Sequence, residues 1–81
     1  MYRLIEHYIN KLTKEDIIEF SIKNDIILNN DELIYLYKII KEKYKILLNG
    51  DTSIFNEIKD NININTYNKI IELYNKYKNY L

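Results

Sequence analysis

The stretch NNDELIYLYKIIKEKYKILLNG, residues 29–50, decides the fold because it predicts one long amphipathic helix. Its apolar side chains step by four and by three, which is the spacing of one helix face, and its lysines lie mostly on the other side. Asn29 or Asn30 can cap its start, and Gly50 can end it by taking the left-handed conformation that closes a helix. The predicted core stripe consists of Leu33, Tyr37, Ile40, Tyr44 and Leu47.

Three more apolar residues, Tyr35, Ile39 and Ile46, widen the surface of this helix beyond a single stripe. A helix that is apolar over so much of its circumference is usually contacted from several sides, so we expect it to lie at the centre of the domain. The remaining, shorter helices should therefore pack around it.

Two short helices are predicted before the long one. Apolar residues that recur every three to four positions place the first at about residues 2–11. Thr13 then occupies an N-cap position, with Asp16 three residues later, and the second helix fades near residues 23–24. Residues 26–28 are apolar but stand between chain-breaking residues, which predicts an extended connector that plugs into the core. The second helix is expected to bury Ile17, Ile18, Phe20 and Ile22.

Two further helices are predicted after the long one. Asp51 or Thr52 starts a short helix, and Asn65 or Thr66 caps the last one. Between them, KDNININT (residues 59–66) alternates isoleucine with asparagine, and this period of two indicates extended chain. The expected apolar faces contain Ile54, Phe55 and Ile58 in the short helix and Tyr67, Ile70, Ile71, Tyr74 and Tyr77 in the last one.

A single domain, residues 1–81, is expected from the length, since 81 residues support one modest core. The predicted fold class is all-α, a compact bundle of four to five short helices with a long central third helix. No uninterrupted apolar segment reaches the ~18 residues of a membrane span, and no signal peptide is visible. We therefore expect a cytoplasmic protein that does not enter the membrane.

The residue types that usually carry catalysis are scarce in this sequence. It has no cysteine, a single histidine (His7) and one glycine, which excludes thiolate and three-histidine zinc sites and a glycine-rich phosphate loop. Paired carboxylates such as Glu15 and Glu19 lie near a helix start, where capping and the helix dipole explain them. We therefore predict no catalytic, cofactor-binding or metal-binding residue, no small-molecule substrate and no enzyme activity.

The composition and charge point away from a dedicated DNA-binding protein. Isoleucine, asparagine, lysine and tyrosine make up 49 of the 81 residues, and all four have AT-rich codons. An AT-rich genome explains their abundance without selection for function, which weakens arguments from the many tyrosines and lysines. The net charge is zero, with two excess acidic groups in residues 1–40 and two excess basic groups in residues 41–81. Duplex-DNA binders usually have a stronger basic bias.

A recognisable order of residues runs through most of the chain. It consists of Leu12-Thr13, Asp16-Ile17, Glu19-Phe20-Ser21, Asn24, Ile26, Leu28 and Glu32-Leu33, then SIFNEI (residues 53–58) and a capped last helix with Tyr67, Ile71 and Leu73. Over about residues 12–77 this order resembles the small, uncharacterised YqfT-like family of Firmicutes. The resemblance implies a small, helical, cytoplasmic bacterial protein. It implies no activity, because none is established for the family, so no functional residues carry over.

Protein binding is the function that the composition favours. Nine tyrosines and many isoleucines are more than 81 residues can bury comfortably, so some should remain on the surface. Tyrosine is enriched at interface hot spots, although it also borders cores with its ring buried and its hydroxyl in water. We predict an interaction module that binds a partner protein or a second copy of itself, as a homodimer, through Tyr35, Ile39, Ile46, Tyr77 and Tyr80.

A nucleic-acid surface is the alternative. Lysines interleaved with tyrosines can follow phosphates and stack on bases. Against this, the long helix begins with Asn-Asn-Asp-Glu, whose carboxylates would repel phosphate at the end where a recognition helix needs basic residues. Lysines near helix C-termini are also explained by the helix dipole. The residues of this alternative are Lys38, Lys41, Lys45, Lys76 and Lys78.

Overall fold

Five α-helices make up the part of the chain described by the computed structural model, residues 2–77. All side chains in that range are described except those of Tyr2, Arg3, Ile5 and Tyr77. None of the described helices is long and apolar enough to cross a membrane. The all-α prediction is confirmed. The helices are α1 (Tyr2–Lys11), α2 (Lys14–Lys23), α3 (Asn30–Leu48), α4 (Ile54–Asn61) and α5 (Ile64–Tyr77).

The long helix α3 is the centre of the packing, as predicted. α1, α2 and α4 all lie against α3, and α5 packs on α4. In the described residues, α1 and α2 make no comparably close backbone approach to α4 or α5. The bundle is still compact, because its radius of gyration of 12.1 Å is close to the ~12 Å expected for this length. We call the consecutive helices α1–α2 and α4–α5 the two arms; each arm approaches α3 more closely than it approaches the other arm within the described residues.

Capping boxes fix the starts of α2 and α3. Thr13 Oγ1 accepts the Asp16 N–H at 3.1 Å, and the Asp16 carboxylate accepts the Thr13 N–H at 2.9 Å. Asn29 and Glu32 repeat the arrangement, with Asn29 Oδ1 accepting at 2.8 Å and Glu32 Oε1 accepting at 3.1 Å. Each box satisfies two N–H groups that would otherwise have no partner in the helix. The cap predicted at Thr13 is confirmed, and Asn29 rather than Asn30 caps α3.

The ends of α2 and α3 share one geometry, in which a residue adopts the left-handed conformation. Asp25 has a φ of 58° after α2, and Gly50 has a φ of 86° after α3. At both ends the next N–H donates to a carbonyl five residues back, at 2.8 Å after α2 and 3.3 Å after α3. This is the Schellman motif, which satisfies carbonyls left free at a helix end. The predicted ending at Gly50 is confirmed.

The extended connector predicted at residues 59–66 is wrong. α4 continues to Asn61 and α5 begins at Ile64, so only two residues separate the helices. The alternation has a different origin: Ile62 is partly buried against the core, whereas Ile64 is 51% exposed in the first turn of α5. Apolar and polar residues can thus alternate by chance across a short connection between two helices.

Asn63 caps α5, so the caps predicted at Asn65 or Thr66 are also wrong. The Asn63 side chain accepts the Asn65 N–H at 2.8 Å, and its carbonyl accepts the Tyr67 N–H at 2.9 Å. Thr66 is instead a buried residue inside the helix, and its hydroxyl donates to the Ile27 carbonyl at 3.3 Å. The local sequence around a capping threonine and around a buried threonine near a helix start looks the same. The sequence pattern therefore could not distinguish these two roles of Thr66.

The most deeply buried line of α3 runs beside the predicted stripe. Leu36 and Ile39 are only 6% and 4% exposed, whereas all members of the predicted stripe are partly buried. Both arms press on α3, so its deepest residues lie between two contact regions and not at the centre of one apolar stripe. The core cluster of buried residues is Leu36, Ile39, Ile54, Phe55 and Ile58.

The α2 helix is buried over much less of its surface than predicted. Ile17 is 8% exposed, but Ile18, Phe20 and Ile22 are 40%, 51% and 69% exposed. Among the described helices, α3 is the one that the α2 backbone approaches closely, which fits coverage of one strip of the α2 surface. In the connector that follows, Ile26 and Leu28 do contribute to the interior, while Ile27 is 89% exposed.

Glu32 joins the beginnings of two helices. It is only 6% exposed, and its Oε1 closes the capping box of α3. Its Oε2 accepts the N–H of Asn63, the cap residue of α5, at 2.7 Å. A buried carboxylate is tolerated when charge-assisted hydrogen bonds replace its hydration, and Glu32 meets this condition with both oxygens. The carboxylate therefore fixes how α5 meets α3.

Candidate binding groove

A half-open apolar groove lies between the two arms. Both arms approach α3, and within the described residues the backbones of the two arms do not come as close to each other as they do to α3. Its volume is about 600 Å³, within the ~300–1,000 Å³ typical of binding pockets. The lining is contributed by all five helices and the α2–α3 connector, and its main apolar members are Ile9, Leu12, Ile17, Phe20, Leu36, Ile39, Ile40, Leu47, Ile54, Phe55, Ile58, Ile70 and Leu73.

An empty space of this size would be costly in so small a protein. Lost packing costs about 24 cal/mol per Å³ in protein cores, so a closed and empty cavity of this volume would cost about 14 kcal/mol. The whole stability of an 81-residue domain is about 4–12 kcal/mol. A closed cavity of this volume would thus cost more than the domain can supply, and the apolar walls of the open groove offer water few hydrogen bonds. Covering the groove with an apolar partner would lower the free energy of this face.

Two oppositely charged side chains line the groove, and both already have partners. Lys43 Nζ lies 2.9 Å from the Glu57 carboxylate, and this hydrogen bond, together with the negative charge of Glu57, raises the pKa of Lys43. The carboxylate of Asp16 is held in the capping box of α2. Neither group is left to attract a charged ligand, so the groove suits an apolar occupant.

Phe20 is the exposed aromatic residue of this groove. Phe20 lines the groove, and the residue is nevertheless 51% exposed, which places it at the rim. An aromatic side chain in this position has a large apolar area without a partner. The sequence did not identify Phe20 as an interface residue because its spacing from Ile17 predicted burial. The available signal was the breadth of the apolar arc on α2, which exceeds what one neighbouring helix can cover.

The three interface residues predicted on α3 have different environments. Ile39 is 4% exposed and belongs to the core, and it also lines the floor of the groove. Ile46 is 40% exposed and remains available. Tyr35 is partly buried against the core cluster, and its hydroxyl is buried without a hydrogen bond of acceptable geometry to a described residue.

The environment of Tyr35 also affects its acidity. Burial, reinforced by the negative charge of Glu57, raises the pKa of Tyr35. The Asn61 side chain and the Lys43 ammonium lie close enough to oppose part of this effect. Tyr35 is thus a tyrosine at the border of the core whose hydroxyl is not in water. The other two predicted tyrosines cannot be placed, because Tyr80 and the side chain of Tyr77 lie outside the described residues.

The lysines of the nucleic-acid alternative partly serve to attach α1 to α3. Lys41 Nζ donates to the Asn10 carbonyl at 3.0 Å, near the C-terminal end of α1, where a cation interacts favourably with the helix dipole. Lys45 Nζ lies 3.6 Å from the Glu6 carboxylate. Lys38 is exposed on α3, Lys76 is exposed near the end of α5, and Lys78 lies outside the described residues.

A second, polar depression lies where α3 and α5 begin. Its volume is about 410 Å³, and Glu32, Asn63, Thr66 and Lys69 are among its lining residues. Both carboxylate oxygens of Glu32 already accept backbone N–H groups, so the depression is a structural junction. In the part of the chain that the structure describes, no group of three His, Cys, Asp or Glu side chains could hold a metal ion.

Comparison of the chain with models of known protein families, with curated proteins and with solved structures found no match. The YqfT-like resemblance stays a prediction on the residues quoted above. The function must therefore be argued from the geometry of the groove.

Proposed function

We propose that this protein is an interaction module that receives an apolar surface, of a partner protein or of a second copy of itself, in the groove between its two arms. The observation that carries the proposal is the 600 Å³ groove with the half-exposed ring of Phe20 at its rim. Buried apolar centres with aromatic anchors supply most of the binding energy in protein interfaces. Interaction modules of this kind need no catalytic group.

Other exposed apolar residues support the same proposal. Leu4 and Tyr8 stand one helical turn apart on α1 and are 60% and 67% exposed. Single exposed apolar residues are normal, but pairs at one-turn spacing form ridges that a partner can cover. The groove remains the larger feature, because it joins exposed surface to the core.

The proposal is tested with Phe20→Glu, which places a charge at the groove rim. The wild-type protein is expected to self-associate in analytical ultracentrifugation at micromolar concentration or, when immobilised, to capture a partner from its host. Phe20→Glu should abolish either interaction because the carboxylate would be desolvated in the apolar interface. The matched control is Ile27→Glu, since Ile27 is 89% exposed and does not line the groove.

Two results would overturn the proposal. One is a monomeric wild-type protein that captures no partner whose binding is lost in Phe20→Glu. The other is equal loss of binding in Ile27→Glu and Phe20→Glu, since this would make any exposed apolar residue equivalent. Circular dichroism of both variants checks that they keep the helical fold.

The nucleic-acid alternative gains no support from the arrangement of its lysines, because Lys41 and Lys45 are engaged with α1. It stays a prediction, tested by oligonucleotide binding at low salt, where phosphate contacts are strongest. The predicted cytoplasmic location is part of the proposal and rests on the sequence alone.

A further inference from the structure

The geometry points to a second copy of this chain as the occupant of the groove, in a symmetric dimer in which Phe20 of each copy enters the groove of the other. This inference rests on the proposed function and names its partner. Phe20 and the groove belong to the same face of the molecule, since the ring itself lines the groove. A two-fold axis at this face brings Phe20 of each copy against the groove of the other copy, so the same contact forms twice, as an isologous interface requires.

The exposed surface of the chain has the size that such a dimer needs. The chain exposes 6056 Å², whereas a folded monomer of 9.9 kDa exposes about 5,200 Å², so the excess is roughly 850 Å². A standard protein interface buries about 800 Å² on each partner. One symmetric contact would therefore bring the exposed surface of each chain to that of an ordinary monomer of its mass.

The charge of the chain also permits two copies to meet. Its formal net charge is zero, so no long-range repulsion opposes self-association. The two charged side chains that line the groove already have partners within the same chain. Lys43 is paired with Glu57, and the carboxylate of Asp16 accepts the Thr13 N–H in the capping box of α2.

The helix α2 offers both a test position and a control position, because it has exposed apolar residues on two different sides. At 100° per residue, Phe20 stands on one side of Ile17 and Ile22 stands on the other, about 160° away from Phe20. Phe20 lines the groove, whereas Ile22 does not, although Ile22 is the more exposed, at 69%. Glutamate at either position adds the same charge to the same helix, but it replaces a groove-lining phenylalanine in one variant and an isoleucine outside the groove in the other.

The experiment is sedimentation equilibrium of the wild type, Phe20→Glu, Phe20→Leu and Ile22→Glu at micromolar concentrations. The wild type should have twice the chain mass of 9.9 kDa. Phe20→Glu should weaken dimerisation by about 30-fold or more, as loss of an interface hot spot does. Phe20→Leu should weaken it less, and Ile22→Glu should remain dimeric. Circular dichroism must show the wild-type helix content in each variant.

Several outcomes would overturn the inference. A monomeric wild type would do so, as would a dimer that survives Phe20→Glu or is lost in Ile22→Glu. Open-ended oligomers would exclude a closed two-fold contact, and a small apolar ligand found in the groove by native mass spectrometry would replace the second copy. If the wild type is monomeric but captures a different protein in a Phe20-dependent way, this inference fails while the proposed function stands. If the wild type is monomeric and captures no protein, this inference and the proposed function both fail.

Discussion

At the scale of single residues, two buried polar groups on α3 have opposite environments. Both oxygens of Glu32 accept backbone N–H groups, whereas the Tyr35 hydroxyl makes no hydrogen bond of acceptable geometry within the described residues. A buried polar group costs free energy unless hydrogen bonds replace those it made with water. Glu32 should therefore stabilise the fold, and the hydroxyl of Tyr35 should destabilise it.

Replacing Tyr35 with phenylalanine should stabilise the protein by about 1 kcal/mol at neutral pH, because it removes an unsatisfied buried hydroxyl and keeps the ring. Burial raises the pKa of Tyr35 in the folded state above its ordinary value of 10.0. The protonated hydroxyl is thus favoured by folding, and this contribution is lost as the pH rises above that value. The advantage of Tyr35→Phe should therefore grow in urea unfolding above that pH. A variant less stable than wild type at neutral pH would show that the hydroxyl is satisfied.

Replacing Glu32 with alanine should cost about 3 kcal/mol of unfolding free energy, because two N–H groups lose a charged acceptor. Glu32→Gln keeps one carbonyl acceptor and should cost about half as much. The control is Asp31→Ala, an exposed first-turn carboxylate whose loss should cost less than about 1 kcal/mol. Urea unfolding measures the differences, and faster hydrogen exchange of the Asn63 amide should accompany the loss. Equal costs for Glu32→Ala and Asp31→Ala would contradict the role given to Glu32.

At the scale of the helices, local hydrogen bonds set the boundaries more clearly than apolar spacing does. Thr13 and Asp16 fix the start of α2, and Gly50 ends α3, all through contacts within a few residues. The two helix ends share this hydrogen-bond pattern but have different residues at the left-handed position, Asp25 after α2 and Gly50 after α3. Glycine takes this conformation without the strain that a Cβ atom introduces.

Removing the glycine at the end of α3 and introducing one at the end of α2 should therefore change the stability of the protein in opposite directions. Gly50→Ala should destabilise the protein by about 1 kcal/mol, entirely through the backbone, because an added Cβ would have no atom within 4 Å. Asp25→Gly should stabilise it by about 0.5 kcal/mol, since it relieves strain and removes a negative charge from a helix C-terminus. Chemical unfolding of the two variants measures both. A loss of stability in Asp25→Gly would mean that the aspartate makes a compensating contact.

At the scale of the whole molecule, the fold leaves its interior open on one side. The two arms share α3 as their support, and closing the groove would require direct contact between them. The proposed dimer would cover the same groove without moving either arm. Folding and association would then be linked, because the partner binds only the folded state.

This linkage predicts that the melting temperature depends on protein concentration. Each tenfold rise in concentration adds about 0.7 kcal/mol per chain for a dimer, which corresponds to roughly 3–6 °C in a domain of this size. Differential scanning fluorimetry over two decades of concentration measures the shift. Phe20→Glu should melt at a constant temperature, and Ile22→Glu should behave as the wild type does. A constant melting temperature for the wild type would argue against the dimer.

The sequence by itself determined the helical class, the central position of α3, the starts of α2 and α3 and the end of α3. Capping boxes and glycine endings act over three to five residues, so their residue types reveal them. Only the tertiary structure decided which apolar residues are buried, because that depends on which helices meet. Ile39 became core and Phe20 became the rim of a groove, although both fit an apolar helix face. Glu32 shows the same limit, since its bond to Asn63 spans 31 residues that no local pattern connects.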